Sequence, residues 1–194
     1  MVEYAYMKTA VIIHGMPSKE EYLDLANPAQ SNRHWFPWLQ KQLAIRGVVA
    51  QSLEMPAPYE PRYEDWKKTF EQMRVDEETA LFGHSCGGGF FVRWLSENKN
   101  RVGEVVLVAP WIDPNKELNT GFFDFEIDPT LVGRTKGVTV MYSTDDDPSI
   151  LETVRVLKEK LPDATFKEFH DKGHFCSADL VNDAFPELLE VLGL

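Results

Sequence analysis

The run Thr79-Ala80-Leu81-Phe82-Gly83-His84-Ser85-Cys86-Gly87-Gly88-Gly89 joins a short apolar stretch to a string of glycines, with a serine at the join. Thr79–Phe82 reads as a strand buried on both faces. A helix is expected after the glycines, running to about Asn98. Gly83-His84-Ser85-Cys86-Gly87 matches G-x-S-x-G in the strand-to-helix setting that puts a serine at the apex of a sharp turn. The flanking glycines let neighbouring backbone come close. The helix aims its first N–H groups at the same point. The bland alternative is a glycine-rich turn that only packs a helix on a strand.

Outward from this run, apolar stretches alternate with helical spacing. Thr9–His14 reads as a first strand, Val48–Leu53 as a second, Glu104–Val108 as a fourth, Gly137–Tyr142 as a fifth and Thr165–Phe169 as a weaker sixth. Helices are expected over Trp35–Ile45, Tyr63–Met73, Leu151–Lys160 and Leu180–Leu192. Such alternation implies an α/β domain, a mostly parallel sheet of about six strands with helices on both faces. Ligands of such sheets sit at the carboxyl ends of the strands. The segment 112–134, with Gly121-Phe122-Phe123-Asp124-Phe125, is long for a connection. It reads either as a small cap or pocket wall, with Trp111, Phe122 and Phe123 as pocket candidates, or as a short helix filling a satellite core.

The 194 residues carry 43% hydrophobic and 12% aromatic residues, which suits one globular domain over residues 1–194. The net charge of −11 argues against nucleic acid and against an anionic membrane surface. No apolar run approaches the roughly 18 residues of a membrane span. Met1–Lys8 shows no basic start followed by an apolar stretch, so a cytoplasmic location is expected. Cys86 and Cys176 make no disulfide framework and read as small buried thiols. No His/Cys/Asp spacing resembles a zinc site and no glycine run fits a phosphate loop, so no cofactor is implied.

A serine hydroxyl needs a base. Of five histidines, His174 in Asp171-Lys172-Gly173-His174-Phe175 lies between the last strand and the last helix, where it can reach over the sheet edge toward Ser85. His84 should point away from Ser85, His14 reads as a holder of loop backbone, and His34 sits among Trp35, Phe36 and Trp38. His170 ends the sixth strand and reads as partly exposed. The base in turn needs a carboxylate, and Asp145, Asp146 and Asp147 all follow the fifth strand. The order serine, aspartate, histidine is that of α/β-hydrolases. For the oxyanion, the amide after the nucleophile belongs to Cys86, and the loop after the first strand offers that of Met16.

Val11-Ile12-Ile13-His14-Gly15, Phe82–Gly87, Ser143–Pro148 and Gly173-His174-Phe175 together resemble the small serine hydrolases of the retinoblastoma-binding-protein-nine and YdeN type. The resemblance implies a three-layer α/β-hydrolase fold without the first two strands of larger relatives, and a sheet order 2-1-3-4-5-6. It also implies Ser85, Asp147 and His174 as the triad. Ser149 with Glu152 fits a capping box, which starts the next helix there and leaves Asp147 free in the loop. The expected activity is hydrolysis of a small ester, thioester or amide through an acyl-enzyme, carboxylesterase-like, with a peptidase conceivable at the same site. The competing class is a protein-binding module that kept the fold without turnover. The partner expected is a small-molecule ester or amide, and the sequence leaves the oligomeric state open.

Overall fold

Ala10-Val11-Ile12-Ile13, Ala80-Leu81-Phe82 and Val105–Val108 are apolar at every position, so each must be covered on both faces, and each lies in a strand. The computed structural model describes residues 7–194, and the reading of residues 1–6 lies outside them. The strands are β1 (Thr9–Ile13), β2 (Val49–Leu53), β3 (Thr79–His84), β4 (Glu104–Val108), β5 (Gly137–Ser143) and β6 (Thr165–Phe169). They form one sheet in the order β2-β1-β3-β4-β5-β6, with every neighbouring pair parallel. The expected strand order therefore holds.

The helices are α1 (Lys19–Leu23), α2 (Phe36–Ile45), α3 (Tyr63–Phe70), α4 (Cys86–Glu97), α5 (Pro148–Lys160) and α6 (Glu187–Val191). From β1 the chain moves one way along the sheet, and from β3 it moves the other way. Right-handed crossovers therefore send α2 to one face and α3, α4 and α5 to the opposite one. The aromatic contacts agree. Trp35 and Phe36, at the start of α2, touch each other and His84, and Trp35 reaches Phe185 just before α6. Phe70 of α3 packs edge-on against Phe90, Phe91 and Trp94 of α4. The reversal between β1 and β3 opens a crevice at their carboxyl ends, where Ile13 stands opposite Gly83.

The structure departs from the sequence expectations at several elements: α4 takes in Gly87–Gly89 and α3 ends at Phe70, short of Met73. Helix α5 begins at Pro148 and Asp147 is its N-cap, so the capping box proposed at Ser149 does not form. Proline at the first helical position has no N–H to lose there and a φ already suited to the helix. The terminal helix spans only Glu187–Val191 instead of Leu180–Leu192. Pro186 cannot donate within a helix, and Asn182 takes the Ala184 amide in a local turn instead. Helix α1 stands where the sequence pattern predicts a loop, and Ser18 caps it by accepting from the Glu21 amide. Segment 112–134 holds only a 3-10 turn, Leu131–Arg134, and no α-helix. Among the described residues no helix is long and apolar enough to cross a membrane.

Candidate active site

Ser85 follows the last residue of β3 and precedes the first of α4, with φ 53° and ψ −120°. A non-glycine residue rarely takes this conformation, and the surroundings must hold it there. They do so through three backbone bonds. The Ser85 amide donates to the Val108 carbonyl, and the Ser85 carbonyl accepts from Gly89 and Trp111. Gly87 has no room for a side chain, because a Cβ there would lie 2.6 Å from the His14 carbonyl oxygen. Gly15, after β1, faces the serine itself, since a Cβ on Gly15 would lie 3.0 Å from Ser85 Cβ. Cys86 opens α4, so its N–H has no acceptor within the helix.

Three aspartates follow β5, and each has a separate task. Asp146 is buried, and both its carboxylate oxygens lie 3.0 Å from His174 Nδ1. It also accepts from the Asp147 amide at 2.7 Å. Asp147 is exposed and caps α5 by accepting from the Ser149 amide at 2.8 Å. Ser149 thereby holds the Asp147 carboxyl below its ordinary value. Asp145 accepts from the Ser143 hydroxyl and from the Gly173 amide. The carboxylate against His174 is thus Asp146, and the expectation for Asp147 is corrected. Proline at the first helical position turns Asp147 into a cap and leaves its predecessor facing inward.

Asp146 can only accept, so the His174 Nδ1 carries a proton toward it and Nε2 keeps its lone pair. The loop that carries His174 is fixed from several sides. Asp179 accepts from the His174 and Cys176 amides. Gly173 and Phe175 take positive φ. His84 donates from Nε2 to the His174 carbonyl at 2.8 Å, which ties the residue before the serine to the backbone of the histidine. The sequence leaves His84 and Asp179 without a task and Asp145 as one of three candidate carboxylates. Only their position beside Ser85 and within the acidic and histidine loops marks them.

The remaining histidines are structural in their bonding. His14 Nε2 accepts from the Met55 amide, as expected of a residue holding loop backbone. His34 Nδ1 accepts from the Ser177 amide, and His170 is exposed. Burial lowers the pKa of His14, of His84 and of His34, the last to about 4. The unfolded chain therefore binds protons that the folded chain refuses. Stability from these groups is full above the ordinary histidine value of 6.5 and is lost as the pH falls toward about 4. The melting temperature should hold above about pH 7 and decline through that window, with a shallower decline in His34→Gln. A melting temperature that rises on acidification to about pH 5 would contradict this assignment. Carboxylates held low by their partners, Asp145 and Asp147 among them, act at lower pH.

Two cavities meet at Ser85, and His174 and Met16 border both. The larger, about 270 Å³, is walled by Trp111, Ile150, Glu117, Asp146, Asp147 and Ser149. The smaller, about 140 Å³, lies toward Glu21, Gln30, His34, His84 and Cys176. Burial, with Asp179 and Asp146 nearby, pushes the Cys176 thiol up to about 12, and burial pushes that of Cys86 up as well. Of the expected pocket residues only Trp111 borders the serine. Phe122 is fully buried and packs edge-on against Trp66 at 4.9 Å, with Tyr63 and Phe90 beside it. Phe123 touches Trp111 and Phe122 and borders neither cavity. The insert is therefore core at these positions. Phe122→Ala is expected to cost about 3–5 kcal/mol of stability, read by denaturant unfolding. An unchanged stability with altered acyl selectivity would restore the pocket reading.

A family model described as serine hydrolase matches residues 27–193. The chain belongs to the serine hydrolase family. It is 32% identical over 168 residues to the hydrolase YdeN of Bacillus subtilis (strain 168), covering 81% of this chain and 86% of that one. The solved structure of the B. subtilis ydeN product superposes with a TM-score of 0.79 at 29% identity, covering 96% of this chain and 97% of the other. Two further structures share the α/β-hydrolase fold. The CarC serine hydrolase involved in carbazole degradation has a TM-score of 0.64 at 12% identity, covering 97% and 92%. The esterase domain of a Rhodothermus marinus protein has 0.65 at 14%, covering 98% and 88%. This member of the family keeps a serine at the elbow and a histidine bonded to a buried aspartate.

Proposed function

We propose that the protein is a carboxylesterase-like serine hydrolase of small esters, with Ser85, His174 and Asp146 as its triad. Ser85 Oγ attacks the ester carbonyl carbon while His174 Nε2 takes the hydroxyl proton. Asp146 holds the ring in that tautomer and stabilises the imidazolium as it forms. The tetrahedral oxyanion sits against the amides of Cys86 and Met16. As the carbonyl re-forms, the bond to the leaving oxygen breaks and His174 returns the proton to it. Water, deprotonated by His174, then attacks the acyl-Ser85 ester, and the same steps release the acid and the free serine. Thioesters and amides can follow the same path, the amide needing more help at its leaving group.

The observation that carries this reading is the bond from His174 Nδ1 to the buried Asp146, in a loop that shares both cavities with the strained Ser85. The esterase domain among the structural neighbours supports ester as the first choice. A series of 4-nitrophenyl esters tests it. Turnover is expected to be highest for short acyl chains. Absence of turnover on every ester, thioester and amide offered would return the protein to the reading as a binding module.

A further inference from the structure

The smaller cavity beside Ser85 is built differently from the larger one. Its far wall is α1 and the 3-10 turn Gln30–Asn32, and this turn is anchored by the Ser31 amide donating to Glu54 at 2.8 Å. Gln30 is 6% exposed and borders the cavity. Its side-chain amide has no hydrogen-bond partner among the described residues. Its amide atoms are not sealed from solvent, so a group that enters the cavity can take and give hydrogen bonds there. His84, also on the cavity wall, holds a buried atom without a partner. Its Nε2 donates to the His174 carbonyl, which leaves Nδ1 as a buried acceptor without a partner, 3.7 Å from where a Gly15 side chain would begin. Glu21 also borders the cavity, but Arg33 pairs with it, so the site offers hydrogen bonds with little net charge.

We infer that this cavity is a polar subsite for one arm of the substrate, with Gln30 as the residue that selects it. The inference rests on the esterase reading of the site. The arm is short, because about 140 Å³ holds on the order of five water-sized groups. It is neutral and carries a hydroxyl or amide that can both give and take a hydrogen bond, which suits the carboxamide of Gln30. The other arm of the ester lies along Trp111 and Ile150 in the larger cavity. The substrate class is therefore an ester in which a small hydroxylated or amide-bearing group flanks the carbonyl on one side and a larger, more apolar group on the other.

Two matched pairs of esters test this. One pair varies the acyl arm, 4-nitrophenyl 3-hydroxybutyrate against 4-nitrophenyl butyrate. The other varies the alcohol arm, 2-hydroxyethyl butyrate against propyl butyrate. In one of the pairs the hydroxylated member should have the higher kcat/KM by about tenfold, the effect of one well-made hydrogen bond. Gln30→Leu, similar in size and without hydrogen bonds, should level that ratio, and Gln30→Met serves if the first variant folds poorly. A wild-type protein that hydrolyses the esters with no hydroxyl preference in either pair overturns the subsite. So does a preference that survives both substitutions. A wild-type protein that hydrolyses none of the four esters overturns the esterase reading instead.

Discussion

Ser85→Ala is expected to lower kcat for ester hydrolysis by roughly a thousandfold or more, the scale seen when a triad nucleophile is removed. The fold should survive. Ser85 is held at its positive φ by the Val108, Gly89 and Trp111 backbone bonds, and none of these involves the hydroxyl. Circular dichroism and the melting temperature of the variant should therefore match the parent within a few degrees. The neighbouring Cys86 thiol cannot take over readily. It is fully buried and its pKa is pushed up, which removes the thiolate that would attack. Activity retained in Ser85→Ala would move the chemistry to another nucleophile.

The second large effect separates two adjacent aspartates. Asp146→Asn should lower kcat by about four orders of magnitude, because an amide facing His174 Nδ1 can favour the wrong tautomer and does not stabilise an imidazolium. Asp147→Asn should leave kcat within a few-fold. Asparagine caps a helix about as well as aspartate, so α5 keeps its start. The comparison is internal, since both changes remove one charge from the same loop. The reverse ranking would return the acid's role to Asp147.

The elements that carry function were legible because each has a local signature. The apolar runs of β1, β3 and β4 can only be covered strands, and the G-x-S-x-G run after β3 can only turn sharply where its glycines allow. Which aspartate turns toward His174 was not legible from type or spacing. It depends on one backbone detail, proline at the first position of α5. Phe122 and Phe123 have the same composition whether they wall a pocket or fill a core. The choice is made by Trp66 and Phe90, which reach Phe122 from α3 and α4. Helix α1 has a serine cap at Ser18 but no buried residue, so it lacks the apolar stripe by which the other helices are read. Gln30 had no signature at all, since only the folded chain brings it to the wall of the cavity beside Ser85.

The central claim is that Ser85 is an activated nucleophile, and a fluorophosphonate reacts with such a serine and not with an inert hydroxyl. Intact-mass measurement after incubation with a fluorophosphonate, followed by peptide mapping, is the most direct test. One adduct per chain is expected, located on Ser85, absent in Ser85→Ala and formed much more slowly in Asp146→Asn. No adduct, or an adduct on any other residue with Ser85 unmodified, would contradict it.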